Sequence, residues 1–221
     1  MDLAPTEGLD FRRGSHRVLL IACGALGREI VDLIEHNRWP HFDVQCLPAI
    51  WHNTPQKIPE GVRGKIRAAK GKYERIFVLY GDCGTGGLLD KVLAEEGSPG
   101  NPIERIAGPH CYSFFSGNAR FQARQGDEDM TAFFLTDYLA RHFDKLIWEG
   151  LGIAMHPELV PMYFGNYEKL IYFAQTENAE LQAQAQTAAA KLGLVYEYRQ
   201  TGYGDLETFM AASHPATETG G

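Results

Sequence analysis

The chain has 221 residues, of which 44% are hydrophobic and 22% charged, a mix that excludes a disordered chain. Twenty-one basic against 28 acidic side chains leave a net charge of −7. That balance argues against a nucleic-acid clamp or a binder of anionic membranes, because phosphate affinity comes from clustered Lys and Arg. Four cysteines are too few for a disulfide framework, and a chain of this length buries enough surface to need none. The first apolar run, Val18 to Cys23, is too short for a signal sequence or a membrane span. The expectation is a soluble, cytoplasmic protein with four free thiols.

In chain order, residues 1–15 carry no apolar period and read as a loose leader. Residues 18–22 are continuously apolar, the mark of a strand buried on both faces. Leu26, Ile30, Leu33 and Ile34 then recur at helical spacing until Asn37 and Pro40 stop the pattern. A second strand is expected at 43–48, a basic amphipathic helix at 61–73, a strong strand at 76–80, a helix at 88–96 and a weaker strand at 103–107. Further on, the pattern predicts a strand at 130–135, a helix at 137–148 opened by Asp137, and a strand at 170–174. Asn178 caps a helix over 179–192 that Gly193 ends, and a strand at 195–199 closes the set. Residues 211–221 read as a loose tail. Alternating strands and helices over 16–210 predict one α/β domain. Its sheet would be single, mainly parallel, doubly wound and Rossmann-like, with helices flanking it.

Ligands of an open parallel sheet bind beyond the carboxyl ends of its strands. Cys23-Gly24, the run Gly81-Asp82-Cys83-Gly84-Thr85-Gly86-Gly87, His110-Cys111 and His52-Asn53 all fall on that rim. Cys46 lies within a strand and reads as a buried small hydrophobe. Three thiols at one rim suit zinc, held by Cys23, Cys83 and Cys111 with His52, His110, water or substrate in the fourth place. An iron–sulfur cluster on the same three thiolates is the alternative. No Cys-x-x-Cys pair is present, so the fold itself must assemble such a site; the plainer reading has Cys23 and Cys111 packing against helices.

Residues 22–27 approach the dinucleotide fingerprint, with Gly24 and Gly27 in its later positions and Ala22 in the first. The acidic ribose partner is missing, since the second strand ends Cys46-Leu47-Pro48. Gly84 and Gly86 offer a weak phosphate cradle without the Walker lysine. Asp82 and Glu29 are candidates to orient a small-molecule ligand or move a proton, against the plainer roles of loop cap and helix residue. Trp51, Tyr112, Phe114 and Phe115 are candidate pocket walls or, more plainly, core.

Several of these motifs occur together in one known family. They are Ala22-Cys23-Gly24 with Glu29, Leu47-Pro48-Ala49 with His52-Asn53 and Pro55, and Tyr80-Gly81-Asp82-Cys83-Gly84. His110-Cys111 with Gly117, Leu135-Thr136-Asp137 and Asn166-Tyr167 complete the series. The chain resembles, over roughly residues 17–206, the prokaryotic family numbered 1638 among the domains of unknown function. The resemblance implies that Cys23, Cys83 and Cys111 are the family's recurring cysteines. It also implies a setting among corrinoid-dependent methyltransferases and corrinoid proteins, hence a role in cobalamin- and folate-linked one-carbon transfer. The functional expectation is a metal-binding enzyme or accessory factor of methyl transfer that activates a thiol or assists corrinoid reactivation. A non-catalytic adaptor on a corrinoid protein and a dinucleotide-dependent oxidoreductase are the alternatives.

Overall fold

The computed structural model describes residues 4–12, 17–125 and 128–213. The expected single sheet is two sheets, one of five strands and one of three. They fall in two compact units, residues 1–111 with 206–221, and residues 112–205.

In the first unit the strands are β1 (Leu9–Phe11), β2 (Val18–Cys23), β3 (Phe42–Leu47), β4 (Arg75–Leu79) and β5 (Glu104–Arg105). Their spatial order is β1-β3-β2-β4-β5. β2 pairs in parallel with β3 and β4, β4 in parallel with β5, and β1 runs antiparallel to β3. β2 lies at the centre, and its apolar run is buried throughout, as a strand covered on both faces requires. The chain leaves β2 for β3 on one side and then crosses to β4 on the other. Strand order therefore reverses between β2 and β4. In open parallel sheets that reversal opens a crevice beyond the strands' carboxyl ends.

Helix α1 (Gly27–His36) links β2 to β3, α2 (Ile58–Ala69) links β3 to β4, and α3 (Leu88–Glu96) links β4 to β5. α2 begins three residues before the expected start, because Pro59 sits in its first turn, where a missing N–H costs nothing. α2 and α3 are tied by Glu96, which accepts hydrogen bonds from Arg63, Arg67 and Lys70 at 2.7–3.1 Å. The leader expected to be loose supplies β1, with Leu9 opposite Cys46; residues 1–3 and 13–16 lie outside the described part.

The second unit holds the short helices α4 (Ser113–Ser116) and α5 (Asn118–Gln125), then β6 (Ala132–Thr136) and α6 (Asp137–Arg141). α7 (Val160–Phe164), β7 (Lys169–Ala174), α8 (Ala179–Leu192) and β8 (Val195–Gln200) follow. β6, β7 and β8 form a parallel sheet in that order. Phe121, Phe134, Ile171 and Phe173 make its core, with Tyr112 stacked on Phe134 at 5.3 Å between ring centres. Asn178 caps α8 by accepting from the backbone N–H groups of Glu180 and Leu181, and Gly193 ends it at φ +70°, as its sequence signals require.

The helix expected at 137–148 breaks after Arg141 and resumes as one π-turn at Asp144–Trp148. Its cap is Thr136, whose hydroxyl accepts from Leu139 N–H, and not Asp137. The Asp137 carboxylate instead accepts from Tyr172 Oη, Gln175 N, Thr176 N and Thr176 Oγ1 at 2.6–3.1 Å, joining the ends of β6 and β7. Helix α9 (Gly204–Ala212) follows β8. Its Phe209 packs edge-on against Phe77 of β4, so the expected loose tail is helical as far as Ala212; residues 214–221 lie outside the described part. No helix among the described residues is long and apolar enough to cross a membrane.

Candidate functional site

Four chain segments leave the carboxyl ends of the first unit's parallel strands, and each brings a sulfur or imidazole to the crevice. β2 ends on Cys23 and turns at once into a 3-10 turn, Gly24–Leu26. β3 runs through Pro48 into a second such turn, Ala49–Asn53, which carries His52. A Cβ at Gly24 would lie 3.0 Å from Leu47 O and 3.2 Å from Ala49 N, so the two exits fit together only without a side chain there. Gly24 therefore has a packing reason, and the turn's fingerprint-like spacing needs no dinucleotide to explain it.

The exits of β4 and β5 are locked more tightly. A Cβ at Gly81 would meet the C, Cα and N atoms of His110 at 2.7–2.9 Å. This close approach lets Asp82 N–H donate to Gly108 O (2.9 Å) and Cys83 N–H to Pro109 O (2.8 Å). Cys83 adopts φ +47°, a left-handed conformation that non-glycine residues rarely hold and that is found at functional turns. Asp82 stabilises the loop beyond it. Its carboxylate accepts from Gly87 N and Thr85 Oγ1 at 2.9 Å and Gly86 N at 3.2 Å, which hold it below the usual carboxylate range. The glycines at 84 and 86 thus belong to a turn folded around Asp82.

These constraints bring three thiols together. Cys83 Sγ and Cys111 Sγ are 3.3 Å apart, a hydrogen-bonding separation far longer than a disulfide, and all four cysteines are free. Cys111 also hydrogen-bonds Cys23, and His52 hydrogen-bonds Cys83. The proton inventory follows from these contacts. Cys111, half-buried and hydrogen-bonded with Cys23 and Cys83, is held well above the ordinary thiol range by those two contacts first and by burial after them. Cys83, receiving from Cys111 and from His52, is held well below that range against the opposing effect of burial. Cys23 is lowered by its bond from Cys111, and the Cys83 contact raises His52. The contacts bias Cys83 and Cys23 toward the thiolate, Cys111 toward the thiol and His52 toward its protonated form.

Of the expected site residues, Cys23, Cys83, Cys111 and His52 meet. His110 is half-buried and its pKa is lowered by burial, while its backbone forms the surface on which Gly81 rests. Gly27 opens α1, and Glu29 in the first turn of that helix is 3% exposed. Cys46 is 1% exposed and its thiol is pushed up by burial, with smaller contributions from Cys23 and Glu29. Trp51 lies against α2 over Gly61. Tyr112, Phe114 and Phe115 belong to the second unit.

Sequence reasoning missed Tyr80. It is 1% exposed, and its hydroxyl has no hydrogen-bond partner among the described residues. Burial first, and then the neighbouring sulfurs, raise its pKa well above the phenol range. The signal was available, since a tyrosine closing a buried apolar strand needs somewhere to direct its hydroxyl.

Among the described residues, no group of three or more His, Cys, Asp or Glu side chains is arranged so as to hold a metal ion; the thiols bond to one another instead. The donor set is nonetheless the soft sulfur-and-imidazole type that zinc prefers.

Fold and site together define a mixed α/β protein with a thiol-rich centre at the carboxyl ends of a mostly parallel sheet. Residues 46–210 match the family described as "Protein of unknown function (DUF1638)", and the chain belongs to that family. His52, Cys83 and Cys111 lie within the matched segment, and Cys23 precedes it. No curated protein and no solved structure matches the chain.

Proposed function

We propose that the chain is a thiolate-centred enzyme or accessory factor of cobalamin- and folate-linked methyl transfer, acting in the cytoplasm beside a corrinoid protein or corrinoid-dependent methyltransferase. The methyl-transfer setting rests on the family resemblance. The chemistry rests on one observation, the hydrogen-bonded triangle in which Cys111 bonds both Cys23 and Cys83 across three separate loops. In this reading the first unit is a doubly wound, Rossmann-like layer. Right-handed crossovers from β2 toward β3, and from β3 back across to β4, put α1 and α2 on opposite faces of the sheet.

Cys23, Cys83 and Cys111 would hold zinc, with His52 or a substrate thiol as fourth donor. Bound zinc supplies Lewis acidity that makes a thiol a better methyl acceptor. The chain's own groups supply the rest. Cys111 carries the proton that two neighbouring sulfurs share, His52 stabilises negative charge on Cys83, and the Gly81 contact fixes the distance between Cys83 and Cys111. Buried Tyr80 lies within electrostatic reach of the same sulfurs.

Elemental analysis with an absorbance spectrum of anaerobically purified protein tests this reading. Near-stoichiometric zinc without a visible band, lost in Cys83→Ser, supports it. A brown sample containing iron and sulfide replaces zinc by a three-thiolate cluster that passes electrons to an oxidised corrinoid. Metal-free, colourless and well-folded protein overturns both. If such protein still co-purified with a corrinoid protein after Cys83→Ser, it would be an adaptor.

A further inference from the structure

The second unit carries a cavity of about 270 Å³ beyond the carboxyl ends of β7 and β8, where Phe173 and Gln200 reach its wall. That is the ligand-binding end of a parallel sheet. Its charged lining residues are Arg120, Arg124 and Arg199, with no carboxylate among the lining groups. Phe121 and Phe173 back its floor from the core, at 5% and 1% exposure.

The three arginines differ in what already holds them. Arg199 is bound to buried Asp129 through two nitrogens, at 2.5 and 2.7 Å, and to Glu197 at 2.6 Å. Arg124 pairs with exposed Glu128 one turn along the chain. Arg120 makes no hydrogen bond or ion pair with any described residue, although it sits one helical turn before Arg124 on the same face of α5. The start of α5 does not compete for an anion, because the Asp205 carboxylate accepts from Asn118 N at 2.7 Å. The carboxylates that pair with Arg124 and Arg199 lie outside the lining, and Arg120 adds to the wall a guanidinium with no partner among the described residues.

We infer that this cavity is a binding site for a phosphomonoester, such as a nucleoside monophosphate. Arg120 and Arg124 would grip the phosphate, and the rest of the ligand would lie along the lining of Ser116, Gln200 and Thr201. A guanidinium fork matches phosphate and carboxylate oxygens equally well, but two arginines, Arg120 and Arg124, suit the double charge of a phosphate better than a single carboxylate. This site lies within the second unit and does not depend on the function proposed for the thiol centre.

Calorimetric titration of the full chain with inorganic phosphate, adenosine monophosphate and benzoate tests the inference. The nucleotide should bind more tightly than phosphate, and benzoate more weakly than either. Arg120→Gln, at an exposed position, should weaken nucleotide binding roughly tenfold to a hundredfold, the range expected for losing a charged hydrogen bond. Arg124→Gln should weaken it similarly, and Cys83→Ser should leave it unchanged. Absence of binding by phosphate and nucleotide at millimolar concentration overturns the site. Equal affinity in Arg120→Gln overturns the assigned grip, and benzoate binding as tightly as the nucleotide overturns the phosphate class.

Discussion

Substituting Gly81 by Ala tests whether one glycine sets the thiol geometry. The new Cβ would stand as little as 2.7 Å from His110 backbone, whereas ordinary contact begins at 3.4 Å. The obstructing atoms are main chain, so the loop itself must withdraw by about 0.7 Å. The hydrogen bonds joining Asp82 to Gly108 and Cys83 to Pro109, now 2.9 and 2.8 Å, run between the same two segments. Lengthening each by that amount takes both past about 3.5 Å, beyond useful range. Losing them costs about 1–3 kcal/mol. For a chain of this size, a loss of about 2 kcal/mol lowers Tm by roughly 4–8 °C. The separation of Cys83 Sγ from Cys111 Sγ would grow from 3.3 Å to about 4 Å. Urea unfolding reads the stability, and mass spectrometry after mild diamide treatment reads the rate of Cys83–Cys111 cross-linking. Both should fall. A variant with wild-type midpoint and wild-type cross-linking rate would refute the role given to this contact.

Asp137→Ala leaves four donors at the ends of β6 and β7 without their acceptor, and should cost about 3 kcal/mol in chemical unfolding; a loss under about 1 kcal/mol would show that water replaces the carboxylate easily. Glu96 is held at about 2 by Arg67, Lys70 and Arg63, below the ordinary 4.5. Its folded-state pKa is depressed, so its contribution is fully present above pH 4.5 and is lost as pH falls toward 2. Urea midpoints of wild type and Glu96→Gln should therefore differ most at pH 7 and converge on acidification; a constant gap would contradict the ion cluster. Asp129→Ala strands Arg199 and Lys169 beside each other, with Glu197 as their remaining ion-pair partner among the described residues. Breaking a buried ion pair from one side typically costs about 3–5 kcal/mol, and a stable variant with an unshifted melting curve would show that Glu197 compensates fully.

Local elements were legible where one signal acted within a few residues. The bounds of α8 follow from Asn178 and Gly193, and those of α3 from the periodicity of Leu89, Val92 and Leu93. β2 and β4 stand out because burial on both faces leaves continuous apolar runs. Their grouping into two sheets was not legible, since Val18–Cys23 and Lys169–Ala174 are equally apolar and nothing local says which strands each pairs with. Strand β1 was hidden because three residues pairing along one edge need no apolar period. The break in the helix at Arg141 was hidden because a π-turn keeps the apolar spacing nearly intact. At the site, the rim position of Cys23, Cys83, Cys111 and His52 followed from strand ends alone. The Sγ–Sγ distance, the left-handed Cys83 and the direction of each proton bias came from contacts between residues 28 or more positions apart. The Arg120 cavity was not legible either, because its arginines lie on α5 and β8, some 80 positions apart, and meet only through the β6–β7–β8 sheet.

The short strand β1 has a consequence for how copies of this chain behave toward one another. Leu9, Asp10 and Phe11 cover the outer backbone edge of β3, and Gly8 packs against the Cys46 carbonyl. Removing that cover would leave a flat apolar strand with unpaired donors and acceptors, a template on which a neighbouring chain can add. Residues 9–11, unpatterned as they read, act as a guard over this edge, and removing them would open it to pairing with a neighbouring chain.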